Sequence, residues 1–74
     1  EGVYVVDMDE RGPAYKAGLR VDDIITHVGQ KKVTKMLELR SAIYSYKVGD
    51  RVNIRFLRRG KEHLVEMTLV KKPI

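Results

Sequence analysis

The sequence predicts a small α+β domain, mostly β with two helices, and three observations carry that reading. Residues Gly12–Val28, GPAYKAGLRVDDIITHV, read as one short helix delivered into one buried strand. Residues Lys35–Tyr46 hold a single apolar stripe at helical spacing. From Arg51 onward two runs alternate apolar and polar residues around a bend, the pattern of an antiparallel hairpin.

In the first unit, Pro13 suits the first helical position, where its missing N–H costs nothing, and Gly18 suits a left-handed residue closing the helix after about one turn. Leu19 and Val21 are expected to tuck under that turn. Asp22-Asp23 makes a polar corner, and Ile24–Val28 opens with a β-branched pair favoured in a packed strand. Ahead of it, Gly2–Met8 is expected to be a strand, apolar on both faces from Val3 to Val6.

After Val28, Gly29-Gln30-Lys31-Lys32 reads as a turn and Val33 as a brief extended residue. Thr34 is expected to cap the long helix, whose hydroxyl could accept a free N–H of the first turn. Met36, Leu39, Ile43 and Tyr46 form its stripe with Ala42 beside them, and Tyr44 lies on a flank. Gly49-Asp50 ends the segment. In the hairpin, a two-residue loop at Arg59-Gly60 sets Ile54 across from Val65 and Val52 across from Met67, both on one face. Arginine is unusual at that loop position, which leaves a longer, bulged turn open. Lys71-Lys72-Pro73-Ile74 reads as a frayed end.

With 74 residues the chain is one domain, near the lower limit for a single core. It has no cysteine, so neither disulfides nor thiolate metal sites supplement the packing. A hydrophobic content of 43% beside 34% charged residues fits a folded domain. Fifteen Lys and Arg against ten acidic residues give a net charge of +5, a weak bias toward anionic partners. No apolar run approaches the roughly 20 residues of a membrane helix, and there is no signal-peptide pattern. Because the chain opens at Glu1 directly on a strand, it is expected to be a piece of something longer.

Taken in order, the strand, GPAYKAGLRVDDIITHVG, a turn, LELRSAIYS and VGDRVNIRFLRRGKEHLVEMTL closely resemble a bacterial PDZ domain over nearly the whole chain. The wording is similar to the PDZ domain that follows the trypsin-like domain in HtrA/Deg serine proteases, and LELRSAIYSYKVGD is similar to those of Gram-positive bacteria. Site-2-type intramembrane metalloproteases and C-terminal processing peptidases carry similar modules and stand as alternatives. The resemblance implies a partly open antiparallel barrel closed by one short and one long helix. In the family's bacterial arrangement the carboxylate-holding loop and the ligand-pairing strand precede the strand at Gly2. Residues 1–74 are therefore expected to hold the groove's helical wall and the core, and to lack that loop and strand.

The resemblance also implies a non-catalytic peptide-recognition and regulatory module that senses or presents C-terminal or unfolded segments to an attached protease domain. It implies a role in protein quality control, and a cell-envelope or extracellular setting in which the parent can be membrane-anchored. Binding of this kind is a strand addition: a sheet edge pairs with an extended peptide while pockets beside the long helix choose its side chains. Alignment of LELRSAIYS puts Met36, Arg40, Ile43 and Tyr44 on the groove side. The same residues also read as core, for Met36 and Ile43, and as a solvated charge, for Arg40. With no strand before it, Gly2–Met8 becomes a sheet edge, and Val3–Val6, with Val3 and Val5 facing the groove, is expected to take up a peptide or a second copy.

Enzyme readings find little in the residues. The only serines, Ser41 and Ser45, fall in the long helix without a glycine-flanked nucleophile turn. His27 and His63 lie on separate strands with no metal-ligand spacing, and no cofactor is implied. Asp22-Asp23 reads as a corner cap for backbone N–H groups rather than an acid-base pair. A basic nucleic-acid module is the alternative of another class, with Arg51, Arg55, Arg58, Arg59, Lys61, Lys71 and Lys72 along one hairpin. Glu62 and Glu66 interrupt that stripe and Phe56 is its one aromatic ring, on the inward face, so no nucleic-acid partner is expected.

Overall fold

The structure, a computed structural model, describes residues 2–70, so the segment Lys71–Ile74 read as a frayed end lies outside it. The elements are β1 (Val3–Tyr4), α1 (Pro13–Ala17), β2 (Ile24–Val28), β3 (Lys31–Lys32), α2 (Met36–Tyr44), β4 (Arg51–Arg58) and β5 (Lys61–Thr68). Every strand pair is antiparallel. The sheet runs β1-β2-β4-β5, and β3 joins β2 beyond β1. An open antiparallel sheet with two helices is the α+β architecture that the sequence predicts.

The α1–β2 unit follows its residues closely. Pro13 stands in the first turn of α1, and Gly18, at φ 116°, closes the helix with its N–H on the carbonyls of Ala14 and Tyr15. Leu19 is buried beneath, but Val21 is 47% exposed rather than tucked under the turn. The reason is local. Asp23 N–H donates to the Arg20 carbonyl, and Asp22 sits at φ 81°, so Val21 lies at the tip of a tight reversal.

The strand expected over Gly2–Met8 is shorter. Only Val3 and Tyr4 pair with β2, opposite Ile25 and Ile24. Past Tyr4 the partner is the Asp22-Asp23 corner: Val5 N–H donates to the Asp23 carbonyl (2.9 Å), and Asp22 N–H donates to the Val5 carbonyl (2.8 Å). Further on, the Asp7 and Asp9 carboxylates take up the N–H groups of Met8 and Arg11, so local turns replace the ladder.

The turn after β2 is also shorter than expected. Gly29, at φ 62°, turns the chain, and Lys31-Lys32 then pairs back onto β2 opposite Val28 and His27. Thr34 does not cap α2. Lys35 is the cap residue and makes no side-chain cap bond, while the Glu38 carboxylate reaches back to accept both the N–H (2.8 Å) and the hydroxyl (2.9 Å) of Thr34. A carboxylate is the stronger acceptor, so the hydroxyl donates instead. The backbone N–H bond of Thr34, more than its hydroxyl bond, holds the Glu38 carboxyl below its ordinary range. The helix ends at Tyr44, short of Tyr46, because Ser45 and Tyr46 bond to the carbonyls three residues back and the Ser45 hydroxyl donates to the Ala42 carbonyl (2.6 Å).

The hairpin has the expected register, Ile54 opposite Val65 and Val52 opposite Met67, around a two-residue turn without a bulge. Arg59 (φ 54°) and Gly60 (φ 78°) are both left-handed, as a type I′ turn requires. Val52, Ile54 and Phe56 are buried and meet Leu39, Ala42 and Ile43 of α2 in one core with Val28, Val33 and Leu69.

One buried charge ties the corner to the hairpin. The Asp23 side chain is 2% exposed, yet its carboxylate accepts the Nε (2.8 Å) and an Nη (2.8 Å) of Arg58 and the backbone N–H of Arg20 (2.8 Å). The same Arg58 Nη donates to the Gly18 carbonyl (2.9 Å). Bonding to the Arg58 guanidinium holds the Asp23 carboxyl below its ordinary value against the opposing effect of burial.

Candidate functional site

Between β1 with its following loop and α2 runs a groove of about 450 Å³. Its floor is Ile25, Met67 and Leu69, and the Gly12–Ala14 end of α1 contributes to its wall. The helical wall is Met36, Leu39, Arg40 and Ile43, which share one face because they stand three or four residues apart. Ile43 and Leu39 are nearly buried, Met36 is half exposed, and Arg40 is exposed. The strand wall is Val3, buried, and Val5, half-buried, with Tyr4 and Val6 adding to the lining.

Of the residues singled out in the sequence, the structure brings Val3, Val5, Met36, Arg40 and Ile43 into this one groove. Tyr44 is absent from its lining and stands 42% exposed at the end of α2. Sequence reasoning missed Leu39, Asp7, Met8, Asp9 and the start of α1. Leu39 could have been found, since the stripe that holds Met36 and Ile43 includes it. The loop 7–9 carries no periodicity and gives no such signal.

The strand wall is also a sheet edge. Val5 directs both its N–H and its C=O toward the Asp22-Asp23 corner. In extended backbone these groups alternate sides, so those of Tyr4 and Val6 face away from β2, toward the open side. An apolar slot thus lies against a strand whose outward backbone groups recur every second residue. Such a site is shaped for an extended chain with apolar side chains.

The other candidate sites take structural roles. Ser41 is exposed on α2, and Ser45 spends its hydroxyl on the Ala42 carbonyl. His27 Nδ1 lies 3.0 Å from the Thr26 hydroxyl, and His63 stacks on Phe56 at 5.4 Å between ring centres. Among the described residues no three His, Cys, Asp or Glu gather as a metal site. Asp22 accepts the Tyr4 hydroxyl (2.5 Å), and its carboxylate raises the Tyr4 phenol above its ordinary range. Three arginines of the basic stripe are paired. Arg55 meets Glu62 (3.4 Å), Arg51 meets Glu66 (4.0 Å) and Arg58 meets Asp23, while Phe56 is buried.

Comparison with known proteins points the same way as the groove. The family model for the PDZ domain matches residues 1–69. A serine protease Do-like HtrA from Lactobacillus helveticus is 43% identical over 61 residues, 82% of this chain and 15% of that protein. A probable periplasmic serine protease do/HhoA-like from Haemophilus influenzae is 35% identical over 69 residues, 93% of this chain and 15% of that protein. The solved structure of the serine endoprotease from Yersinia pestis superposes with a TM-score of 0.83 at 31% identity, covering 88% of this chain and 24% of that one. The chain thus spans a small part of the proteases it resembles.

Proposed function

The chain belongs to the PDZ domain family, of the kind carried by HtrA-type serine proteases, and on that premise we propose that it binds extended peptide segments by strand addition to the Val3–Val6 edge beside α2. The supporting observation is the coincidence of an apolar groove with an outward-facing strand edge. Backbone pairing along Tyr4 and Val6 supplies affinity, and Met36, Arg40 and Ile43 choose side chains. In this reading the domain regulates an attached protease by sensing C-terminal or unfolded segments, and carries no catalytic residue itself. The proposal takes residues 1–74 as the domain core, within which the Val3–Val6 edge is what the peptide meets. The periplasmic description of the Haemophilus relative supports a cell-envelope or extracellular setting.

The test is a decapeptide library, displayed with free C-termini and as internal segments, selected on the chain and followed by titration of the best peptide. Val6→Pro removes an outward N–H without taking a bond from β2, and it blocks the edge. The expected result is peptide binding lost in Val6→Pro with stability retained. Selection of no peptide, or binding indifferent to Val6→Pro, contradicts the mode.

A further inference from the structure

We infer that Arg58, which lies outside the groove, is a positioning residue for it: its bond to Asp23 and Gly18 fixes the β1 wall and α1 at the spacing that a peptide meets. The inference rests on the groove being the peptide site.

Both groove elements are short, and few side chains seat them: Val3 for β1, and the partly buried Ala14 and Ala17 for α1. β1 is a two-residue strand, and α1 is a five-residue helix with no fully buried side chain. Yet both line the groove, β1 through Val3 and Tyr4 and α1 through Pro13 and Ala14. Behind them stands the corner Asp22-Asp23. Its backbone holds Val5 by two hydrogen bonds, and its Asp22 carboxylate holds the Tyr4 hydroxyl. The corner is in turn held by Arg58, whose guanidinium makes two bonds to the Asp23 carboxylate and one to the carbonyl of Gly18, the residue that closes α1. Arg58 itself is rooted in the long β4 strand and lies over the Phe56 ring at 5.1 Å.

One guanidinium on the best-paired part of the sheet therefore reaches the corner behind β1 and the closing residue of α1. Three donors at fixed angles set the distance between the Gly18 carbonyl and the Asp23 carboxylate. That is a task for the planar fork of arginine and not for the single point of an ammonium. A lysine at position 58 keeps the charge while losing the fork, so it separates charge from geometry.

The experiment compares the parent chain with Arg58→Lys, Arg58→Met and the surface control Arg55→Met, which breaks only the exposed pair with Glu62. Amide exchange is followed at Val5 and Asp22, whose N–H groups make the corner bonds, and at Val52 and Ile54 in the hairpin. Titration of the decapeptide selected on the parent chain gives the affinity. Should Arg58→Met not fold, Arg58→Lys carries the comparison. The expected result for Arg58→Lys is exchange at Val5 and Asp22 faster by about tenfold or more while Val52 and Ile54 stay protected. Peptide affinity falls by about fivefold or more, and Arg55→Met changes neither. Unchanged exchange at Val5, or a rise there matched by Val52 and Ile54, overturns the inference. So does full peptide affinity in Arg58→Lys. If the parent chain binds no peptide while Val5 still responds to Arg58→Lys, the positioning stands and the peptide reading fails.

Discussion

At the scale of single residues, Asp23 is the most consequential polar group of the described chain. It is buried, and it is tolerated because three donors converge on its carboxylate. Removing the carboxylate leaves the part-buried Arg20 N–H without its acceptor while Arg58 can turn to solvent, so Asp23→Ala is expected to cost about 1–2 kcal/mol in urea unfolding at neutral pH. The pH dependence follows from the lowered carboxyl. Its folded value lies below the ordinary 3.8. The folded state therefore binds this proton less readily than the unfolded state, and the contribution is complete above the ordinary value and lost as pH falls through the folded one. Unfolding midpoints of the parent are expected to drop along that acid limb. Asp23→Ala should show a shallower drop, whereas parallel limbs contradict the assignment.

At the scale of elements, α2 shows how a helix start can be held from inside. With Lys35 offering no side-chain cap, the Glu38 carboxylate ties the first turn to Thr34, the residue just ahead of the cap. Glu38→Ala is expected to speed amide exchange over Met36–Leu39 while leaving β4 and β5 protected. Unchanged exchange in the first turn would show that the bond is incidental. The same element marks the reach of sequence reasoning. The stripe gave away the helix and its buried face, because 3.6-residue spacing is written in the side chains. It did not give the cap, since Thr34 and Glu38 can each accept and only the geometry of the turn decides which does. The hairpin was legible to the residue, because one face had to be apolar on both strands at once and a slip of one residue would have reversed it. The strand at Gly2 was not. Val3 to Val6 are all apolar, so pattern alone could not tell that the ladder stops where β2 ends. In the groove, Met36 and Ile43 were accessible as residues on one helix face, but the loop 7–9 and the start of α1 reach it through the tertiary path alone.

At the scale of the whole molecule, the fold joins a long, well-paired hairpin to a short edge strand. The hairpin carries eight-residue strands in continuous register, and the groove's strand wall is a two-residue β1 leaning on a corner. An edge of this kind beside apolar surface, with Val6 74% exposed, is the surface on which the proposed strand addition acts. On the proposed mode, a second copy and a peptide meet the same edge. Sedimentation equilibrium is expected to show a concentration-dependent dimer that a saturating selected peptide returns to monomer. A dimer insensitive to peptide would place self-association elsewhere.

The most direct measurement is a backbone and methyl chemical-shift map of the chain titrated with the selected decapeptide. The largest shifts are expected at Val3, Tyr4, Val5 and Val6 together with Met36, Arg40 and Ile43, and small ones over the outward face of β4 and β5. Shifts concentrated on Arg51, Arg55, Glu62 and Glu66, with the groove silent, would contradict the proposed mode.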